Sequence, residues 1–135
     1  MISYKYEKLS NGGFMKIRES AENYLETILM LSKKRPVVRS VDIANELGFK
    51  KSSVSIAMKN LREKEHITVT EEGFIYLTDS GKEIAEMVYE RHEVISECLV
   101  RLGVSKEIAD EDACRIEHIL SDESFEAIKD YLNKL

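Results

Sequence analysis

From Ser20 onward, apolar residues recur at the three-and-four spacing of a helix: Ala21, Leu25, Ile28 and Leu29 share one face. Lys33-Lys34-Arg35 suits the negative end of that helix, and Pro36 stops it. Ser40 reads as an N-cap for a helix over Val41–Leu47, with Gly48 as the glycine just past its end. Ser52 opens another helix, Ser53–Glu65, whose Val54, Met58 and Leu61 form an inward stripe. The period then changes. Ile67-Thr68-Val69-Thr70 and Phe74-Ile75-Tyr76-Leu77 read as two short strands around Glu71-Glu72-Gly73. Thr78 or Asp79 caps a long helix to about Leu102, striped by Ile84, Val88, His92, Ile95, Leu99 and Leu102. Gly103 ends it, Ser105 restarts a helical pattern that runs through Leu120, and a last helix takes Asp122–Leu132. Met1–Arg18, with Asn11-Gly12-Gly13 and no steady period, reads as a loose arm in which Met15 offers an alternative start.

The pattern predicts a mainly α protein: an arm over residues 1–18, a winged helix-turn-helix over 19–78, and a helical domain over 79–135. With 135 residues, the chain is long enough to bury a core without disulfide staples. Its two cysteines, Cys98 and Cys114, fit a reduced, cytoplasmic protein better than a secreted disulfide scaffold. No apolar run approaches the ~20 residues needed to span a bilayer, so no membrane partner is expected. The net charge of −5 hides an asymmetry: residues 1–70 carry 13 Lys/Arg against 8 Asp/Glu, and residues 71–135 carry 7 against 17. A basic half suits phosphates, and an acidic half suits cations.

Helix, short helix, tight glycine turn, second helix and hairpin is the order of a winged DNA reader, whose post-turn helix enters the major groove. Lys50 and Lys51 precede a helix N-terminus, where backbone N–H groups also favour phosphate. Ser52, Ser53 and Ser55 are short donors that allow close approach, while Ile56 and Lys59 fall off the inward stripe. An outward Ile56 suits a thymine methyl. Arg39 and Ser40, at the start of the preceding helix, complete the candidate DNA-contacting set. The plainer reading, an ordinary N-cap flanked by solvated lysines, accounts for neither the hairpin nor the basic half.

In the acidic half, Cys114, Glu117 and His118 stand at i, i+3 and i+4, which share a helix face. A thiolate, a carboxylate and an imidazole together suit a first-row transition metal, whereas calcium and magnesium avoid sulfur. His92 on the long helix, and Glu26 with Asn23 on the first helix, are candidate further ligands. Each has a plainer reading: His92 as a satisfied core histidine, Cys114 as a small core hydrophobe, Glu117-His118 as a surface pair. Cys98, beside Leu99, reads as core.

The string Asp112-Ala113-Cys114-Arg115-Ile116-Glu117-His118-Ile119-Leu120-Ser121-Asp122-Glu123 resembles the diphtheria-toxin-repressor family of iron- and manganese-dependent repressors. Similar too are Glu22-Asn23-Tyr24-Leu25-Glu26-Thr27-Ile28, Leu77-Thr78-Asp79-Ser80-Gly81 and Arg91-His92, so the likeness covers about residues 20–135. The length is closer to that of the short, manganese-type members, so the expected form is the one without the SH3-like third domain of the iron type. The resemblance implies a homodimeric, non-enzymatic repressor that binds palindromic double-stranded operator DNA and controls metal-uptake genes, with no protein substrate. Its cofactor would be Fe²⁺ or Mn²⁺, with Co²⁺, Ni²⁺ or Zn²⁺ as substitutes.

Carried over by resemblance, Cys114, Glu117 and His118 match the iron-type primary site, Glu26 a manganese-type ligand, and His92 a ligand of both. Position 114 is Cys, as in the iron type, where the manganese type has Glu. Asn23 stands where the iron type has Met and the manganese type Asp, which implies a hybrid site. Ser96 and Asp110 replace Glu and His ligands of the iron type's ancillary site, which argues against such a site here. The rivals from other classes are a winged-helix regulator answering a non-metal ligand and a small metallohydrolase using Glu117 as a base.

Overall fold

The structure, a computed structural model, describes residues 13–135, with side chains from Glu19 onward. Six helices and one two-stranded antiparallel sheet are found among the described residues. The chain divides into two compact units, one over Ser20–Glu86 and the other taking in Met87–Leu135.

The first unit takes most of helix α1 (Gly13–Lys34), which starts earlier than the expected Ser20, because the three-and-four spacing extends back through Ile17 to Phe14. Residues 1–12, most of the expected arm, lie outside the described residues. Helix α2 (Ser40–Leu47) is capped by Arg39 and not by Ser40, which is its first helical residue. The reason is Asp42, whose carboxylate reaches back from the third helical position and accepts the Arg39 backbone N–H at 2.9 Å. Gly48 ends α2 in the left-handed region, φ 69°. Helix α3 (Lys51–Glu63) likewise begins two residues before the expected Ser53, with the extended Lys50 as its cap.

Strands β1 (Ile67–Val69) and β2 (Ile75–Leu77) pair Ile67 with Leu77 and Val69 with Ile75. The Ile75 N–H also donates to the Val38 carbonyl at 2.8 Å, tying the hairpin to the loop after α1. Between α3 and β1, Glu65 adopts φ 63°. Its carbonyl accepts the hydroxyls of Thr78 at 2.7 Å and Ser80 at 3.3 Å, which hold this costly conformation in place. The contact is tight: a Cβ on Gly81 would meet the His66 carbonyl oxygen at 2.0 Å. Leu25, Ile28, Ile43, Val54, Ile67 and Ile75 form the centre of the core, each at most 2% exposed. Burial of each such side chain stabilises by roughly 1.5–3 kcal/mol.

The second unit comprises most of helix α4 (Asp79–Arg101), helix α5 (Lys106–Ile116) and helix α6 (Asp122–Asn133). Val88, Ile95, Ala109, Ala113, Phe125 and Leu132 are buried. Ser105 and Ser121 cap α5 and α6 through Ile108 and Ser124 N–H. Three expectations change here. Leu102 is 75% exposed because α4 ends at Arg101 and the chain turns away at Gly103, φ 107°. Cys98, expected in the core, is only half-buried. The helical run expected through Leu120 stops at Ile116, and residues 117–119 form a turn in which the Ile119 and Leu120 N–H groups both return to the Ile116 carbonyl.

Candidate metal centre and nucleic-acid interface

Within the Met87–Leu135 unit, His92 on α4 meets the end of α5. Glu117 is the C-cap of α5 and keeps helical angles, φ −56° and ψ −28°, so its i, i+3 relation to Cys114 survives although the helix has ended. The His92 Nδ1 lies 3.0 Å from the Glu117 Oε2 and 3.7 Å from the Cys114 Sγ. The other Glu117 oxygen lies 3.3 Å from the Nε2 of His118. Glu117 is 1% exposed and His118 4%, whereas Cys114 reaches solvent.

A carboxylate so buried costs several kcal/mol unless it is paired and hydrogen-bonded. The two imidazoles provide that pairing. The His92 pKa is pushed up from 6.5 to about 10, first by its hydrogen bond to Cys114 and then by that to Glu117, with burial opposing both. A proton is therefore held among one sulfur and one oxygen donor, where the same lone pairs serve a metal. Among the described residues, no three His, Cys, Asp or Glu side chains already surround a point where an ion could sit; they pair with one another instead. The donor set itself fits a divalent first-row metal: one thiolate, one carboxylate and two imidazoles mix soft and borderline ligands.

On its other side, the His92 Nε2 lies 3.7 Å from Asp110. Asp110 accepts the Ser96 hydroxyl at 2.6 Å and the Lys106 ammonium at 2.7 Å. Lys106 first, and Ser96 next, hold its carboxyl below the usual range. Asn23 and Glu26, the remaining expected ligands, belong to the Ser20–Glu86 unit, where both are half-buried one turn apart on α1. The Asn23 backbone carbonyl accepts the Thr27 hydroxyl at 2.8 Å.

Sequence reasoning missed Arg91 as more than a companion of His92. It is buried and hydrogen-bonds to the backbone of the Glu117 turn. The signal was present, since Arg91 falls at helical spacing with Val88 and Ile95 and so puts a cation on an apolar stripe.

In the first unit, α3 turns Val54, Met58 and Leu61 into the core. Lys50, Lys51, Ser52, Ser53, Ser55, Ile56 and Lys59 are all exposed, Ile56 at 63%. Arg39 is exposed but engaged: its guanidinium lies 4.7 Å over the Phe74 ring, beside the turn of the hairpin. Ser40 is half-buried. Tyr76, exposed on the hairpin, extends the polar and aromatic surface and was not singled out in the sequence.

An exposed basic helix beside a hairpin, with a second unit carrying sulfur, oxygen and nitrogen donors, defines the class of metal-responsive DNA-binding regulators. Residues 16–73 match the N-terminal DNA-binding domain of iron-dependent repressors, and residues 78–135 match their metal-binding and dimerisation domain. The chain belongs to this family of metal-dependent transcriptional repressors.

It is 34% identical to an HTH-type transcriptional regulator of Methanocaldococcus jannaschii over 86% of this chain and 94% of that one. Identity to the transcriptional regulator MntR of Escherichia coli O157:H7 is 32%, over 90% and 82%. A solved manganese-dependent transcriptional repressor in complex with manganese superposes with a TM-score of 0.78 at 27% identity, covering 84% of this chain and 52% of that one. The chain thus spans about half the length of that solved repressor. No helix among the described residues is long and apolar enough to cross a membrane.

Proposed function

We propose that this protein is a cytoplasmic, homodimeric repressor that binds palindromic operator DNA when Fe²⁺ or Mn²⁺ occupies a site built from His92, Cys114, Glu117 and His118. The observation that carries this reading is the meeting of the His92 Nδ1 with Glu117 at 3.0 Å and Cys114 at 3.7 Å, in the part of the chain matched by the metal-binding domain.

A divalent ion held by His92, Cys114, Glu117 and His118 would supply fixed positive charge to these anionic and neutral donors. The chain's own residues do the rest. His92 would release to solvent the proton it holds against Cys114 and Glu117, leaving Nδ1 toward those two donors and Nε2 toward Asp110. Glu117 keeps one oxygen toward His118 and one toward His92. In the other unit, Lys50, Lys51 and Lys59 neutralise phosphates, the serines allow close approach, and Ile56 reads a thymine methyl. The sequence resemblance assigns Asn23 and Glu26 as further ligands, and their alanine variants test that assignment.

The test is DNA binding by the metal-free protein against a duplex selected from a random library, with and without each metal. Metal should tighten binding, and by linkage DNA should tighten metal binding by the same factor. Operator binding that ignores metal, and survives Cys114→Ala and Glu117→Gln, would overturn the reading in favour of a different trigger.

A further inference from the structure

Arg91 is 3% exposed and directly precedes His92 on α4. Its Nη1 donates to the backbone carbonyls of Glu117 at 3.2 Å and Leu120 at 2.5 Å. Its Nη2 donates to the Asp122 carboxylate at 2.5 Å, and its guanidinium lies 5.1 Å over the Phe125 ring. The Glu117 and Leu120 carbonyls lie beyond the end of α5, where no further helical turn supplies donors. A planar fork with several fixed N–H groups meets two carbonyls and a carboxylate at once, which an ammonium does not do as well.

Adjacent residues of α4 therefore grip Glu117 in two places: His92 its carboxylate, Arg91 its backbone. The same guanidinium continues to the first residue of α6 and to Phe125 one turn further. We infer that Arg91 is a positioning residue for the metal centre, fixing the Glu117–Leu120 turn so that Glu117 presents its oxygens before a metal arrives, and coupling that turn to α6. The inference rests on the metal-centre reading above. Outer-shell partners of this kind change metal affinity about 10- to 100-fold when removed.

The experiment titrates Co²⁺ and Mn²⁺ into the metal-free full chain, its Arg91→Met variant and its Asp122→Asn variant, beside hydrogen exchange of residues 122–133 with and without metal. Arg91→Met should keep its helix content and cooperative melting yet bind metal about 10- to 100-fold more weakly. Asp122→Asn, which removes only an exposed counter-charge, should lose roughly two- to fivefold. Metal should slow exchange over residues 122–133 in the unsubstituted protein and not in Arg91→Met. A merely structural Arg91 would lower the melting temperature and leave the folded protein's metal affinity unchanged, which would overturn the inference. If Arg91→Met does not fold, Asp122→Asn decides, and an unchanged affinity there overturns it. Failure of the unsubstituted protein to bind either metal would overturn the metal-centre reading itself, and this inference with it.

Discussion

The carboxylate of Glu117 and the imidazole of His92 lie 25 residues apart in sequence and 3.0 Å apart in space, with the carboxylate almost wholly removed from solvent. Burying an acid beside a histidine and a cysteine is a poor way to stabilise a small helical unit. It is a good way to keep donors ready for a cation.

Removing donors should therefore hurt metal binding far more than folding. Glu117→Gln and Cys114→Ala are expected to weaken Mn²⁺ and Co²⁺ binding by at least about 100-fold, beyond the usual effect of an outer-shell change. Cys114→Asp should shift preference from Zn²⁺ and Co²⁺ toward Mn²⁺, because it exchanges a soft sulfur for a hard oxygen. Competition titrations against a chelator read both effects, and an unchanged preference would remove Cys114 from the ligand set.

The His92 pKa, raised from 6.5 to about 10, sets two opposite pH trends. In the metal-free protein the protonated ring is favoured, so its contribution to stability is complete below about 6.5 and fades as pH climbs to about 10. A metal must displace that proton, so metal affinity rises over the same window, by up to about tenfold per pH unit for one proton. Thermal melts of the metal-free protein and titrations at pH 6.5, 7.5 and 8.5 measure the two trends. Metal binding without proton release would contradict this assignment.

On the DNA side, Lys50→Gln and Lys51→Gln should each lower affinity for all duplexes and reduce the salt slope by about 1. Ile56→Ala should leave that slope alone and relax the preference at one base pair, costing roughly 1–3 kcal/mol for the favoured base at most. Binding isotherms across salt concentrations separate the two behaviours. A salt slope that falls for Ile56→Ala but not for the lysine variants would remove α3 from the interface.

Gly81→Ala tests the junction between hairpin and α4. A new Cβ would meet the His66 carbonyl oxygen at 2.0 Å, and that carbonyl belongs to backbone and cannot swing aside. A loss of about 1–3 kcal/mol is expected. Thermal melting reads it, and a variant as stable as the parent would show that the junction yields.

Periodicity made much of this fold legible before any coordinates. The stripes Leu25/Ile28/Leu29 and Val54/Met58/Leu61 are buried as their spacing implies, and the change of period at Ile67 marks the hairpin. Helix ends were harder. Ser40 looks like a cap, but Asp42 accepts the Arg39 N–H and the helix starts one residue earlier; Leu102 continues a stripe past the point where its helix stops. The i, i+3, i+4 spacing brought Cys114, Glu117 and His118 to notice, although His118 lies in a turn beyond Ile116. Arg91 shares the Val88/Ile95 stripe, which marks its burial, but its partners are mainly backbone carbonyls, which that stripe does not name.

The most direct test is an anaerobic titration of the metal-free protein with Fe²⁺, Mn²⁺, Zn²⁺ and Co²⁺, counting metal per chain in the parent and in Cys114→Ala. At least one metal per chain should bind well below 1 mM, and Cys114→Ala should lose it or bind it far more weakly. Failure of all four metals to bind tighter than about 1 mM would contradict a metal-activated repressor.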